Sequence, residues 1–334
     1  MRARDLGIAI GDGTPAARNA ITDVPGVRVG HTTLIEGDAI RTGVTMIAPP
    51  ETPLFAGCHR LNGNGELTGL EWVRESGFLT TPIGITNTFS VGVVRDAIAA
   101  ASADEDAWSL PVVGETFDGF LNDIRGQHVT GDHARAALES AQDGDVEEGN
   151  VGGGTGMICH EFKGGIGTSS RTVDGYVVGV LVQANYGRRD RFRVDGVPVG
   201  RLIGDRIPLP ENPQDLGSII GVVATDAPLL PHQCDRLAQR AGLGVGRMGG
   251  VAAHSSGDLF FAFATGNREL GSDGEVPVRM LSDTEITPFY TAVIEATEEA
   301  ILNALLAAET MTGRNGNTVH ALEPELLREV LRQA

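Results

Sequence analysis

Lysine is almost absent from this chain of 334 residues. Lys163 is the only one, so nearly all of the positive charge is arginine. With 26 basic against 44 acidic side chains, the formal net charge is −18. A polyanionic surface of that size argues against nucleic-acid binding, which depends on neutralising phosphates. An acid-rich, lysine-poor composition fits a salt-adapted or GC-rich source and says nothing about the fold. Cysteine is scarce too: Cys58, Cys159 and Cys234 are too few and too scattered for a disulfide framework. No run of about 18 apolar residues exists, so no segment reads as membrane-spanning. The opening Met1-Arg-Ala-Arg-Asp-Leu-Gly-Ile8 lacks the apolar stretch of a signal peptide. The expectation is a soluble cytoplasmic protein with neither nucleic-acid nor membrane partners. Neither an internal repeat nor a linker divides the chain, so residues 1–334 are read as one domain.

Glycine is in excess. The 46 glycines have no fixed period, which excludes a collagen-like chain and points to tight turns and close backbone approaches. At 41% hydrophobic residues the chain can bury a sizeable core. Strands are expected at 27–31, 43–48, 82–88, 112–117, 176–185, 218–225 and 259–264. Helices are expected at 67–75, 91–103, 132–142, 230–242, 288–310 and 323–333. Residues 57–77, which include the helix expected at 67–75, and 143–170 read as glycine-rich segments, and 187–216 as a hairpin and a long surface loop. The helix over 288–310 has the clearest stripe, through Phe289, Ala292, Val293, Ala296, Ala300, Ile301, Ala304, Leu305 and Ala308. Thr297 falls within that stripe and Glu299 flanks it, while Glu295 and Glu298 point toward solvent. An inward threonine beside a glutamate could serve a polar site, or be a threonine bonded back to its own helix. Strands in the middle with helices on both sides give an α/β layered domain.

The segment that draws attention is Gly249-Gly-Val-Ala-Ala-His-Ser-Ser-Gly-Asp258, running directly into the apolar Leu259–Ala264. A serine followed by glycine at the mouth of a buried strand is a rigid place for a nucleophile. Ser256 could attack the carbonyl of Ser255, cut the chain and become a new N-terminus. Its α-amine, with a reference pKa of about 7.7–8.0, would then suit a general base for its own hydroxyl. The same residues also describe an ordinary Ser-Gly turn before a core strand.

Other motifs carry less. Gly244-Val-Gly-Arg-Met-Gly249 has dinucleotide-binding spacing but follows a helix and opens none. Gly152-Gly-Gly-Thr-Gly156 could cradle an anion but lacks the lysine and hydroxyl of a P-loop. The pairs Cys58-His59, Cys159-His160 and His232-Gln-Cys234 lack zinc-ligand spacing, so no metal and no cofactor are expected.

A longer set of motifs resembles a known family. It comprises Asn19-Ala-Ile-Thr-Asp-Val-Pro-Gly-Val-Arg-Val-Gly-His31, Leu61-Asn-Gly-Asn-Gly-Glu-Leu-Thr-Gly-Leu-Glu-Trp72, Val113-Gly-Glu-Thr-Phe-Asp-Gly119, Phe162-Lys-Gly-Gly-Ile-Gly-Thr168, Val182-Gln-Ala-Asn-Tyr-Gly187, Ser256-Gly-Asp258 and Ala296-Thr-Glu-Glu-Ala-Ile301. In that order, over nearly the whole chain, they resemble the L-aminopeptidase/D-Ala-esterase-amidase and β-peptidyl aminopeptidase family, self-processing serine peptidases related in fold to ornithine acetyltransferase. The resemblance implies an αββα sandwich, two mixed β-sheets between helix layers. It implies self-cleavage between Ser255 and Ser256 into 1–255 and 256–334, with Ser256 as nucleophile and its amine as base. Glu115 matches the carboxylate that holds the substrate's free amine, and Asn185 the side-chain donor to the oxyanion. Thr297 and Glu299 match a hydroxyl and carboxylate that orient the amine. Phe117 stands where the family has an aromatic hydroxyl, and Thr297 where it has serine. The implied substrates are small peptides and amino-acid amides or esters, and the implied assembly a homo-oligomer, commonly a tetramer of fragment pairs. The alternatives are an acyltransferase of the ornithine acetyltransferase type and a non-catalytic oligomeric scaffold on the same fold.

Overall fold

The computed structural model describes residues 1–101, 108–210 and 217–333. In chain order its first half holds β1 (Arg28–Glu36), β2 (Ile40–Ala48), β3 (Leu54–Gly63), α1 (Leu70–Ser76), β4 (Phe78–Leu79), β5 (Ile83–Asn87), α2 (Val91–Ala100), β6 (Val112–Thr116) and α3 (Gly131–Glu139). The second half holds β7 (Ile158–Cys159), β8 (Phe162–Lys163), β9 (Gly165–Val173), β10 (Tyr176–Asn185), α4 (Val199–Ile203), β11 (Ser218–Thr225), α5 (Pro231–Arg247), β12 (Gly257–Ala264), α6 (Thr287–Ala307), β13 (Met311–Thr312), β14 (Thr318–Val319) and α7 (Pro324–Gln333).

Two sheets face each other. One has the order β1-β2-β5-β6 and the other β4-β3-β12-β11-β10-β9. Both are mixed: β5–β6 and β11–β12 pair parallel and the remaining neighbours antiparallel. Strand alternation sorts the core. Leu259, Phe261 and Phe263 face the first sheet, where they meet Ile47, Ile83, Ile85 and Val112. Phe260, Ala262 and Ala264 face α5 and α6. Each of the three phenylalanines is at most 1% exposed, and burying such a side chain contributes about 1.5–3 kcal/mol. On the far face of the first sheet, Val44, Met46 and Val113 pack on Val91, Val94 and Ala97 of α2 and Ala134 and Ala137 of α3. The expected αββα sandwich is therefore the observed fold.

The differences from expectation have physical causes. Strands β3 and β9 overlap segments that read only as glycine-rich. A side chain on Gly57 of β3 would run into the Asp235 backbone of α5, and one on Gly167 of β9 into the Ala300 carbonyl of α6. The glycines let the helices sit close on the sheet, and they hide the strand pattern. The stripe of α6 is buried as expected, but the helix is covered on its other sides too. Glu295 and Glu298, expected toward solvent, are only 5% and 0% exposed. The N-terminal segment covers one side of α6, with Ala3 N donating to Asn303 Oδ1 at 2.9 Å. Asp195 covers another, its N donating to Glu298 Oε1 at 3.1 Å. Residues 187–210 are not a surface loop. Arg189, Phe192, Val194, Val199 and Ile203 are buried, around the short α4. Residues 211–216 of that expected loop, and 102–103 of the helix expected over 91–103, lie outside the described residues.

Gly152–Gly156 is no anion cradle. Gly152 N donates to Thr33 Oγ1 and Gly153 N to Thr45 Oγ1, at 2.9 and 3.1 Å, while Gly154 N donates to Val151 O. The dinucleotide-like glycines fall at the C-terminal end of α5, as their context implied.

Candidate active site

Ser256 sits immediately before β12, 4% exposed, in the centre of the six-stranded sheet. The register sets Gly257 opposite Ser218, and Ser218 opposite Asn185. Two strand spacings separate Asn185 from Gly257, about 10 Å of backbone, so side chains from the two strand ends can converge. They share one cavity, walled also by Phe117, Tyr186, Glu161 and Asp258. Ser256 Oγ donates to Asp258 Oδ1 at 2.6 Å. Asp258 is 1% exposed, and burial raises its pKa against the opposing pull of the Ser256 hydrogen bond.

Upstream, Ala253–Ser256 form a turn closed by Ser256 N donating to Ala253 O at 2.8 Å. The Asn62–Glu66 segment clamps this turn from the β3 side. Asn62 Nδ2 donates to Ala253 O and Ser256 O, at 2.7 and 2.6 Å. Asn64 Nδ2 donates to Ser255 O at 2.6 Å. The same segment reaches the first sheet, where Glu66 N donates to Glu115 Oε1 at 2.9 Å. Thr88 Oγ1 donates to the other Glu115 oxygen. A Cβ built on Gly65 would lie 3.0 Å from Gly257 Cα and 3.1 Å from Glu115 Oε1, so the carboxylate lies beside the start of β12. Burial raises the Glu115 pKa, and the Thr88 and Glu66 hydrogen bonds partly offset it. Asn62 and Asn64 fall within the Leu61–Trp72 motif, where nothing in the residue pattern singles them out. Their strand was hidden by the same glycines.

Asn185 is held by both ends of its amide. Ile158 N donates to Oδ1 at 2.8 Å, which fixes the orientation, and Nδ2 donates to Phe117 O at 3.0 Å. Nδ2 carries two hydrogens, so one remains for a ligand in the cavity. Lys163 supports this geometry from behind. Its Nζ is fully buried and donates to Met157 O and Gly164 O at 2.9 and 2.8 Å, bracing the turn that presents Ile158. Burial lowers the Lys163 pKa to about 7. Phe117 lines the cavity without a hydroxyl. The neighbouring Tyr186 supplies one: its OH is buried and has no hydrogen-bond partner among the described residues. Burial, with Cys159, Asp258 and Glu298 nearby, pushes this phenol well above its ordinary pKa.

The hairpin joining β7 and β8 turns through His160 and Glu161, at φ 50° and 62°. Non-glycine residues there cost of order 1–3 kcal/mol each. His160 stacks on Phe192 at 4.8 Å, and Glu161 Oε2 accepts from Arg189 N at 2.9 Å. These contacts hold Glu161 at the cavity wall.

Thr297 and Glu299 make their hydrogen bonds elsewhere than at Ser256. Thr297 Oγ1 donates to Val293 O at 2.7 Å, back into its own helix, and its Cβ packs 2.7 Å from where Gly244 of α5 would carry one. Glu299 accepts from Arg171 Nη2 at 2.8 Å, Arg4 Nε at 3.0 Å and Asn19 Nδ2 at 2.5 Å. Arg171 pairs with Val178, seven residues along β10 from Asn185, which is about 23 Å of strand. This ion cluster belongs to the other end of the sheet. Glu298 is the carboxylate of α6 on the cavity side, paired with Arg247 Nε at 2.8 Å and close to Tyr186. Burial raises its pKa, with Arg247 opposing. The resemblance that paired Thr297 and Glu299 with Ser256 rests on their motif alone, and a helix buried all round has no polar face that fixes which way each points.

Comparison with known proteins decides the family. The model of peptidase family S58 matches residues 19–319. The chain belongs to peptidase family S58. It is 47% identical over 365 aligned positions to the β-peptidyl aminopeptidase BapA of Sphingosinicella microcystinivorans, covering 99% of this chain and 92% of that one. Among solved structures it superposes on a Burkholderia sp. β-aminopeptidase with a TM-score of 0.93 and 54% identity, over 100% and 99% of the two chains. The l-aminopeptidase d-Ala-esterase/amidase of Ochrobactrum anthropi gives 0.91 and 45%, over 99% and 98%, and is described as a serine aminopeptidase with a variant of the Ntn hydrolase fold. This S58 member is accordingly a hydrolase, a serine aminopeptidase/amidase on that fold. Acyl transfer as the main activity is not favoured. Among the described residues no cluster of His, Cys, Asp and Glu is placed to hold a metal ion, and no helix is long and apolar enough to cross a membrane.

Proposed function

We propose that Ser256 is the nucleophile of this aminopeptidase, freed as an N-terminus by cleavage of the Ser255–Ser256 bond, and that its own amine is the base in turnover. The observation that carries this reading is a buried serine hydroxyl with two groups near the start of its strand that suit one substrate. The Glu115 carboxylate lies beside the start of β12, and the Asn185 amide stands in the cavity Ser256 lines. A substrate ammonium on Glu115 would set the adjacent carbonyl against Ser256. The spare hydrogen of Asn185 Nδ2 would meet the oxyanion as it develops. An ester on Ser256 forms, the leaving amine departs, and water releases the acid.

The substrates proposed are short peptides, amino-acid amides and amino-acid esters. The relatives named as β-peptidyl aminopeptidases make β-aminoacyl compounds the first to screen. We place the enzyme in the cytoplasm as an oligomer of paired fragments, in keeping with the family pattern. The test is hydrolysis of matched α- and β-aminoacyl anilides, each with a free and an N-acetylated amine. Free-amine substrates should turn over and acetylated ones should not, and Ser256→Ala should abolish turnover. Equal rates on blocked and free amines would remove Glu115 from the role given to it.

A further inference from the structure

We infer that Lys163 is a positioning residue for turnover: its ammonium, acting through the Met157–Ile158 peptide group, fixes and strengthens the Asn185 amide that meets the oxyanion. This rests on the role proposed above for Asn185. Lys163 is the one lysine among 26 basic side chains, and no solvent reaches it. Its three acceptors are all backbone carbonyls: Gly164 O at 2.8 Å, Met157 O at 2.9 Å and Gly154 O at 3.3 Å. They match the three donors of an ammonium, and none of them is a counter-ion. The planar fork of an arginine does not fit three carbonyls drawn around one nitrogen. The turn also has backbone bonds of its own. Gly164 N donates to Met157 O at 2.9 Å, Lys163 N donates to His320 O at 2.8 Å, and Ile158 pairs with Lys163 across the β7–β8 hairpin. Burying a charge without a counter-ion is costly, and bracing such a turn is little reason for it.

The reason lies one peptide group away. Met157 C=O, which accepts from Lys163 Nζ, and Ile158 N–H are the two ends of one planar amide. Ile158 N donates to Asn185 Oδ1 at 2.8 Å. Asn185 Nδ2, at the far end of the carboxamide, gives one hydrogen to Phe117 O and keeps one for the cavity. The contacts therefore run from ammonium to peptide to carboxamide to oxyanion. Each amide in the chain accepts at its oxygen and donates at its nitrogen. Positive charge at one end draws electron density along both amides and makes each N–H a stronger donor. Bonds in such a chain strengthen one another by about 10–30% each. The gain is largest when negative charge develops on the substrate oxygen, in the transition state and not in the bound substrate. It therefore belongs to kcat and not to KM.

Burial lowers the Lys163 pKa to about 7. Cys159 is the ionisable neighbour that acts on it, and burial keeps that thiol neutral, its own pKa pushed up to about 12. His320, half-buried, borders it from the β14 side. The ammonium is present at low pH and is lost as pH rises through about 7. Turnover should therefore have an alkaline limb from Lys163, opposite in sense to the acid limb of the Ser256 amine, which acts only when unprotonated.

The experiment is a double-mutant cycle of Lys163→Met and Asn185→Ala, with kcat and KM measured on a free-amine β-aminoacyl anilide. Methionine keeps the length of the side chain and removes its charge and donors. Lys163→Met should lower kcat about tenfold, less than the roughly 10²–10³ of a donor removed outright, and leave KM within about twofold. In the Asn185→Ala background the same substitution should change kcat by less than about twofold, because the chain no longer reaches the oxyanion. An equal loss in both backgrounds, as support of the fold alone would give, overturns the assignment. So does an unchanged kcat in Lys163→Met. An unchanged kcat in Asn185→Ala overturns the role of Asn185 beneath it. Where Lys163→Met fails to fold, the solitary lysine offers a second route. Cell-free synthesis with 4-thialysine in place of lysine alters this position alone. Its amine is less basic, so the alkaline limb of kcat should move to lower pH, and a limb that stays in place overturns the assignment.

Discussion

In the reading proposed above, Glu115 selects substrates with a free amine. Its carboxylate is 3% exposed and receives two hydrogen bonds, from Glu66 N and Thr88 Oγ1. Burial wins over those bonds and its pKa is raised. Only the ionised form pairs with a substrate ammonium. Binding should therefore be complete above the raised pKa and fail as pH falls through it, at a higher pH than an ordinary glutamate would give. Glu115→Gln removes the charge and keeps the shape. A charge-assisted hydrogen bond contributes about 1.5–3 kcal/mol, so kcat/KM for free-amine substrates should fall roughly 10- to 10²-fold. The acid limb of its pH profile should flatten as well. An unchanged profile in Glu115→Gln would assign that limb to another group. Much of this site was legible at the level of residues. Ser256, Asn185 and Phe117 line one cavity with Glu115 beside the start of β12, and each lies at or next to a strand end, where the chain passes between an apolar run and polar residues. Asn62 and Asn64 had no such boundary, being followed directly by glycine in a segment that hides a strand.

Among the elements, α6 shows what sequence periodicity can and cannot fix. Eight of the nine stripe residues pack in the core from α6, because apolar positions at helical spacing define one face; Ala308 follows the end of the helix. The polar positions were misjudged because their partners come from distant segments: Arg4 and Asn19 near the N-terminus, Arg171 in β9, Asp195 before α4 and Arg247 at the end of α5. No local pattern records such partners. The structure thus separates two roles along one helix, an ion cluster at Glu299 and a cavity-side carboxylate at Glu298. Glu299→Gln should cost stability and not catalysis. Arg171 is fully buried, and depriving a buried charge of a partner costs about 3–5 kcal/mol. The expected result is a lower urea midpoint with unchanged kcat per folded molecule. A loss of kcat at full stability would return Glu299 to the active site.

For the whole molecule, the position of β12 matters most. It lies between β3 and β11 in the middle of the larger sheet, and the same C-terminal part carries α6, which packs on β9 and β10. Cutting the chain at 255 would leave a 256–334 fragment whose strand and helix are bonded on both sides by the 1–255 fragment. The buried residues of 256–334 belong to clusters shared with 1–255, so the pair should stay together and act as one enzyme. The sandwich was foreseeable from the sequence through a family resemblance. Counting elements gave only an α/β layered domain, since two of the six strands of the larger sheet, β3 and β9, were disguised by glycine.

The central claim is that Ser256 is both the new N-terminus and the acylated residue. Its most direct test is denaturing intact-mass spectrometry of the protein, quenched after brief exposure to a slowly hydrolysed aminoacyl ester. The account predicts two fragments, 1–255 and 256–334, that sum to the whole chain plus one water, with the acyl group on the smaller. A single uncut mass, or an acyl group on the larger fragment, would contradict it.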